Sequence, residues 1–249
     1  MIALYQSVFL KPTFNALIAL YNVVGDIGVA IILLTVAVRL LIFPVTLRAL
    51  KSQKALQDLQ PKLNELKEKH KGDKQALAKA TMEFYKKEKV NPASSCLPLL
   101  VQLPIFIALY QAMTIGLKSG GAELLYAFVA SPGTVKALAF GFLDLAAANL
   151  PIAFLAGLSQ YVQAKMMSTK QIKPKVEGSK DEAMLTMMNK QMLYVMPAMT
   201  VVIGASLPGG VILYWLVTNL LSIAQQYVFL KNPKSQIPNP KQIQNPKNL

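Results

Sequence analysis

The stretch IGVAIILLTVAVRLLIFPVTL, residues 27–47, decides the fold class. It contains one charged residue, Arg39, in an apolar run long enough to cross a bilayer, which takes about 20 residues of helix. Four further stretches have the same character. The sequence therefore predicts an all-α, polytopic membrane protein with five transmembrane helices, at residues 27–50, 95–117, 149–167, 191–207 and 209–230.

The composition agrees with this class and excludes several functions. Of the 249 residues, 53% are hydrophobic and 15% are charged, whereas about a quarter of the residues in a soluble domain are charged. A single cysteine, Cys96, and a single histidine, His70, leave no internal disulfide and no cysteine- or imidazole-based metal site. No P-loop, G-x-S-x-G or H-E-x-x-H motif occurs. We expect a protein that is not an enzyme and uses no metal or cofactor.

The basic residues indicate the orientation of the chain. The formal net charge is +14, and 22 of the 26 lysines and arginines lie at residues 48–89, 165–190 and 231–249. With five spans, all three segments fall on the same side of the membrane. The positive-inside rule makes that side the cytoplasmic one, or its organellar equivalent. The sequence therefore predicts an N-out, C-in chain.

The segments on the predicted outer side carry helix and turn signals. Residues 1–26 are predicted to lie on the outer face. They contain an amphipathic helix that starts at Pro12; the alternative is that this helix begins the first span. Residues 118–148 are the predicted outer loop. The turn Pro208-Gly209-Gly210 predicts that the last two spans form an antiparallel pair.

The segments on the predicted inner side are basic. Leucines at helical spacing in residues 51–90 predict a cytoplasmic helical hairpin, in which Pro61 marks a bend or a late helix start. Residues 168–190 form a cytoplasmic loop. The tail, residues 231–249, repeats Asn-Pro-Lys three times and is predicted to be disordered. It is either a topology signal alone or a contact for anionic lipid or RNA.

Arg39 is the most informative residue within a span. Its guanidinium cannot be neutralised, and none of the five spans contains Asp or Glu. One possibility is that its side chain snorkels to the inner headgroups. We favour a hydrated cavity between helices, because an unpaired buried cation otherwise has no compensation.

Polar and aromatic residues on the other spans support such a cavity. Trp215, Asn219, Ser222 and Gln226 share one helix face, since they are separated by four, three and four residues. The remaining candidate groove residues are Gln102, Gln160 and Gln163. Isolated amides also join helices by hydrogen bonds, and a membrane-interface anchor is the alternative for Trp215.

Four segments together resemble the YidC-type membrane protein insertases, a family that includes mitochondrial Oxa and chloroplast Alb relatives. The segments are VAVRLLIFPVTLRALKSQKALQDLQPKLNELKEKHKGD (36–73), NPASSCLPLLVQLPIFIALYQAM (91–113), FGFLDL (140–145) and LPGGVILYWLVTNLLSIAQQ (207–226). The resemblance is to a short form without a periplasmic domain.

This resemblance implies a five-helix core with a hydrophilic groove that is open to the cytoplasm and to lipid and closed on the outer side. Arg39 matches the groove arginine that attracts acidic substrate segments. Trp215, Asn219, Gln102 and either Gln160 or Gln163 match other groove positions. The implied location is a bacterial cell membrane, with the thylakoid and the mitochondrial inner membrane as alternatives.

The function that follows is insertion and chaperoning of nascent membrane proteins without bond chemistry. The implied partners are nascent substrates and the lipid bilayer, while contacts with a ribosome, a Sec translocon or RNA stay open. A secondary transporter or channel is the alternative. It predicts ion-coupling carboxylates within the spans and paired internal repeats, and the sequence shows neither.

Overall fold

The computed structural model describes residues 2–70, 72–88, 90–91, 97–119, 121–167 and 191–231. The predicted loop 168–190 and residues 232–249 of the predicted tail lie outside these residues. The described chain is mostly helical, as predicted. Its elements in order are α1 (Ile2–Tyr5), a π-helical turn (Gln6–Leu10), α2 (Lys11–Val24), α3 (Ile27–Leu41), α4 (Phe43–Lys69), α5 (Lys74–Lys87), α6 (Leu97–Ser119), a 3-10 turn (Ala122–Leu124), β1 (Leu138–Ala139), β2 (Leu143–Asp144), α7 (Leu150–Met167), a second π-helical turn (Gln191–Val195), α8 (Met196–Gly204) and α9 (Gly209–Lys231).

The N-terminal helix is longer than the sequence predicted. α1, the first π-helical turn and α2 follow one another without a break, so a helix start at Pro12 is wrong. Pro12 is tolerated because it lies in the first turn of α2, directly after the π-helical turn. The helix ends at Gly25, whose φ of 72° is the left-handed conformation that glycine adopts readily.

The first predicted span is bent. α3 and α4 meet at Ile42, where the helix bends by 65°. Pro44 explains the bend, because its ring would clash with the carbonyl of Leu40 if the helix continued straight. α4 then runs through residue 50 without a break, and it neither starts late nor breaks at Pro61.

α4 and α5 form a helical hairpin. The turn between them contains Gly72, at a φ of 98°, and the side chain of Asp73 caps α5 by accepting a hydrogen bond from the backbone N of Ala76 at 2.9 Å. An ion pair of 2.9 Å between Lys62 Nζ and Glu88 Oε1 joins the two arms. Both partners reach solvent, so this pair contributes little to stability.

The centre of the bundle is α7. It packs along both α8 and α9, and α9 also packs along α3. The predicted direct pairing of the last two spans is therefore wrong, since α8 and α9 lie on α7 rather than along each other. Gly157 lets α8 approach closely: a Cβ at this position would lie 2.8 Å from the carbonyl oxygen of Pro197 and would collide with Val201.

The apolar core fills one end of the bundle. It draws on the N-terminal halves of α3, α7 and α9, with Ile31, Ile152 and Ile212, and on the C-terminal half of α6, with Met113. Phe14 of α2 is fully buried in the same cluster. The other halves of α3, α6, α7 and α9 therefore form the end of the bundle opposite the apolar core.

The predicted outer loop has a defined structure that covers the core end. β1 and β2 pair antiparallel, with Leu138 opposite Asp144, and Leu145 is fully buried. Asn15 of α2 holds the loop: its Nδ2 donates to the carbonyl of Leu124 at 2.8 Å, and its Oδ1 accepts from the backbone N of Tyr126 at 2.6 Å.

Helix length and composition identify candidate membrane spans among the described residues. Among the described residues, two helices are long and apolar enough to cross a membrane, Ala3–Val24 and Gly209–Phe229, and the bent pair of α3 and α4 makes a third. Leu100–Gly116 and Gln191–Gly204 are shorter apolar helices. Five spans therefore stay a prediction.

Two helix glycines provide a matched test of this packing. Gly157→Ala forces a Cβ into the α8 backbone, and overpacking of this kind costs about 1–3 kcal/mol. At Gly116 the nearest atom, Phe14 Cε2, is 3.4 Å from the new Cβ, so Gly116→Ala keeps the gain in helix propensity of about 1 kcal/mol. We expect the first variant to unfold at a lower temperature in detergent and the second not to. Equal unfolding temperatures would contradict the close α7–α8 contact.

Candidate functional site: a polar cavity with an unpaired arginine

A partly open cavity of about 450 Å³ occupies the end of the bundle opposite the apolar core. Its walls come from the end of α3, the first turns of α4, and from α6, α7 and α9. The cavity brings together all seven candidate groove residues: Arg39, Gln102, Gln160, Gln163, Trp215, Asn219 and Ser222.

Arg39 enters the cavity from the last turn of α3. Its Nη2 donates to the carbonyl of Thr218 at 3.1 Å and to Ser222 Oγ at 2.8 Å, both on α9. Its Nε is buried and has no hydrogen-bond partner among the described residues. No carboxylate of the described residues lies within 4.0 Å of the guanidinium, so the cation is held only by neutral groups.

The polar face of α9 forms one wall of the cavity. Asn219 is buried, and its Nδ2 donates to the carbonyl of Ala156 and to Ser159 Oγ, each at 3.2 Å. This residue therefore also joins α9 to α7. Trp215 is half-buried and packs edge-on against Phe106, with ring centroids 5.4 Å apart. The same face thus serves the cavity and the helix contacts.

The glutamines lie on the facing helices. Gln102 of α6 donates to the hydroxyl of Tyr214, and Gln160 of α7 accepts from the hydroxyl of Thr200 on α8. The sequence left open whether Gln160 or Gln163 faces the groove, and both line the cavity. Three residues on a helix are close to one full turn, which explains why both side chains reach it.

Another polar residue of α6 points away from the cavity. Gln111 accepts a hydrogen bond of 3.1 Å from the hydroxyl of Tyr5 in α1. It follows Gln102 by nine residues, which at about 100° per residue places the two on opposite faces of the helix. The cavity therefore receives one glutamine from α6 and the N-terminal helix receives the other.

The lining also contains polar residues that were not among the candidates, including Thr46, Gln53 and Gln225. Gln225 Nε2 donates to Thr46 Oγ1 at 3.1 Å, which joins α9 to α4. A signal for two of them was present, because Arg39, Thr46 and Gln53 follow one another at intervals of seven residues, or two helical turns.

The chemistry of the cavity is that of a cation set in neutral polar walls. Hydroxyl and amide groups can both donate and accept hydrogen bonds, so they suit polar ligands of many kinds. Leu103, Phe106 and Ile42 add apolar lining. The described lining residues include no Asp or Glu. Such a site favours an anionic or polar chain segment over a cation.

Comparison with known proteins places the chain in a family. Residues 19–236 match the family model described as 60Kd inner membrane protein. The chain is 36% identical over 208 residues to the membrane protein insertase YidC of Fusobacterium nucleatum, covering 84% of this chain and 88% of the relative. It is 34% identical over 221 residues to the protein of the same name from Geobacter sulfurreducens, covering 87% of this chain but only 36% of that relative.

A solved structure shows the same fold. The chain aligns with a crystal structure described as "Active YidC insertase crystal structure with the first transmembrane domain resolved", at a TM-score of 0.58 and 24% identity. The alignment covers 84% of this chain and 43% of that one. The resemblance drawn from the four sequence segments is confirmed: the chain belongs to the 60Kd inner membrane protein family, whose similar bacterial members are membrane protein insertases.

Proposed function

We propose that the polar cavity is the groove through which this family member inserts nascent membrane proteins, and that Arg39 attracts acidic residues of the substrate. One observation carries the proposal: the Arg39 guanidinium lies in a cavity between helices, and no carboxylate of the described residues pairs with it. Burying the Arg39 charge costs free energy, and among the described residues no salt bridge offsets that cost. A charge of this kind within a membrane span indicates a functional site.

The attraction is strong enough to matter for insertion. Two opposite charges 4 Å apart interact by about 4 kcal/mol at an effective dielectric constant of about 20. The hydroxyl and amide walls replace part of the water around the polar substrate segment. Together these effects lower the free-energy barrier to moving an acidic tail part of the way across the bilayer.

The rest of the substrate leaves the cavity sideways. Leu103 of α6 lines the cavity and is 46% exposed, so the lining continues onto the outer surface of the bundle. Transfer of an apolar substrate helix from this groove into lipid is favourable by about 25 cal/mol per Å² of apolar surface.

The proposed topology follows the charge distribution. The chain crosses a bacterial cell membrane five times, N-out and C-in, with the α4–α5 hairpin in the cytoplasm. Three segments contain 22 of the 26 basic residues, and five spans place all three on the same side of the membrane, which supports this arrangement. Nascent membrane proteins and lipid are the proposed partners. The basic hairpin and tail are where a ribosome, its RNA or a Sec translocon would bind.

The cavity lining does not favour a secondary transporter or channel. Ion-coupled transporters use intramembrane carboxylates, and the described residues around the cavity include none. Ion or solute flux in proteoliposomes separates the two functions.

Arg39 variants test the proposed attraction. We expect Arg39→Glu and Arg39→Ala to reduce insertion of a single-span substrate with an acidic N-terminal tail by about tenfold or more, because each 1.4 kcal/mol lost is tenfold. Arg39→Lys should retain part of the activity, since no carboxylate of the described residues binds the guanidinium in a bidentate manner. Insertion is measured by protease protection of the tail in vesicles.

Arg48→Glu is the matched control for charge reversal. Arg48 is exposed on α4 and does not line the cavity, so this change should leave insertion within about twofold. A substrate with an uncharged tail should respond much less to Arg39→Glu than the acidic one does. Normal insertion of the acidic substrate by Arg39→Glu would refute the proposed role of the charge.

Cysteine labelling tests the proposed topology. In a Cys96→Ser background, single cysteines at Thr134 in the outer loop and at Lys79 on α5 occupy exposed positions. We expect an impermeant maleimide added to intact cells stripped of any outer membrane to label position 134. Position 79 should react only after permeabilisation. Labelling of both positions from the same side would overturn the five-span arrangement.

A further inference from the structure

The loop that covers the core end has an unusual composition for a segment facing water. Residues 121–148 contain three charged side chains, Glu123, Lys136 and Asp144, in 28 residues. Most of the others are apolar, and four are aromatic. A solvated loop of this length is normally rich in polar residues, so the composition indicates a less polar environment.

The four aromatic residues form two pairs on the surface, the outer aromatic patch (Tyr126, Phe128, Phe140 and Phe142). The rings of Tyr126 and Phe128 are 5.4 Å apart, and those of Phe140 and Phe142 are 6.4 Å apart. Phe128 is 84% exposed and Phe142 is 79% exposed. Large apolar side chains exposed together mark a contact surface.

Hydrogen bonds from α2 fix the first pair in place. Besides the two bonds from Asn15 to this part of the loop, Asn22 Nδ2 donates to the carbonyl of Ala130 at 2.7 Å. Tyr21 accepts a bond of 3.1 Å at its hydroxyl from the backbone N of Lys136. Phe128 is therefore exposed on a loop that is attached on both sides.

The start of α3 fixes the second pair. Asp26 caps α3 through Oδ1, which accepts from the backbone N of Val29 at 3.0 Å, and its Oδ2 accepts from the backbone N of Phe140 at 2.5 Å. Phe140 has a φ of 55°, a left-handed conformation that is rare outside glycine. Its ring packs over Gly28, where no Cβ would fit. These contacts hold the β1–β2 hairpin against the start of α3, and Phe142 of the same hairpin stays exposed.

We propose that the outer aromatic patch inserts into the headgroup–acyl boundary of the bilayer and fixes the depth of the bundle in the membrane. Both pairs lie at the end of the bundle where α2 meets α3, beside helices that expose apolar side chains such as Val23 and Leu33. Aromatic residues are enriched at this boundary because their rings suit its intermediate polarity. The surface is thus continuous with faces suited to lipid. The inference requires a membrane-embedded bundle but neither a particular orientation nor insertase activity.

The depth of the patch also fixes the depth of Arg39 in the membrane. From Ile27, next to the patch, to Arg39 is twelve residues of α3, or about 18 Å at 1.5 Å per residue. With the patch at one boundary of a hydrocarbon core about 30 Å thick, the arginine lies slightly beyond the midplane. The patch therefore sets how far the polar cavity reaches into the membrane.

Spin labels at single cysteines test this proposal on the full-length protein. In the Cys96→Ser background, Phe128→Cys, Phe142→Cys and the control Thr134→Cys are labelled and reconstituted in phosphatidylcholine vesicles at low protein density. Thr134 is an exposed polar residue of the same loop. Collision rates with oxygen, which concentrates in lipid, and with a water-soluble nickel chelate are then measured.

We expect the ratio of oxygen to nickel collisions at positions 128 and 142 to exceed that at 134 by about threefold or more, because lipid excludes the chelate. Equal ratios at all three positions would overturn the proposal. Protection that appears only at high protein density would assign the patch to a second copy of the chain instead of lipid. Matching unfolding temperatures of the labelled variants and the parent establish that each variant is folded.

Discussion

The packing around the cavity depends on the charge of Arg39, which cannot be neutralised by loss of a proton. An arginine in the middle of an apolar helix needs either a carboxylate, water or a set of neutral acceptors. The described residues supply the third, since Thr218 and Ser222 of α9 accept hydrogen bonds from Nη2, while the buried Nε has no partner among these residues. The positions of α3 and α9 are therefore coupled by the same group that gives the cavity its positive potential.

The two ends of the bundle differ in polarity. At one end, Ile31, Met113, Ile152 and Ile212 belong to one buried apolar cluster, and the loop at residues 121–148 covers them. At the other end the same helices present amides, hydroxyls and the guanidinium. The bundle is therefore asymmetric along these helices, apolar at one end and polar at the other. This asymmetry is what a one-sided groove requires.

The sequence predicted more of the site than of the packing. Spacing placed Trp215, Asn219 and Ser222 on one face, and they line one cavity. It predicted residues 27–50 as one span, because the hydropathy of the run continues through the bend at Pro44. It did not predict that α7 separates α8 from α9. The Pro-Gly-Gly turn specifies a sharp reversal but not the neighbour against which each helix packs.

The outer loop shows the same division. Its sequence contains few charges, but nothing in its spacing indicates that Asn15 and Asp26, far away along the chain, hold it against the bundle. By itself, the sequence determined the class of protein, its helical content, its charge asymmetry and the residue types of the cavity, since hydropathy and spacing are local properties. The tertiary structure decided which residues converge, where the helices bend and which side chains stay unpaired. Those outcomes depend on contacts between residues distant in sequence, which local patterns do not encode.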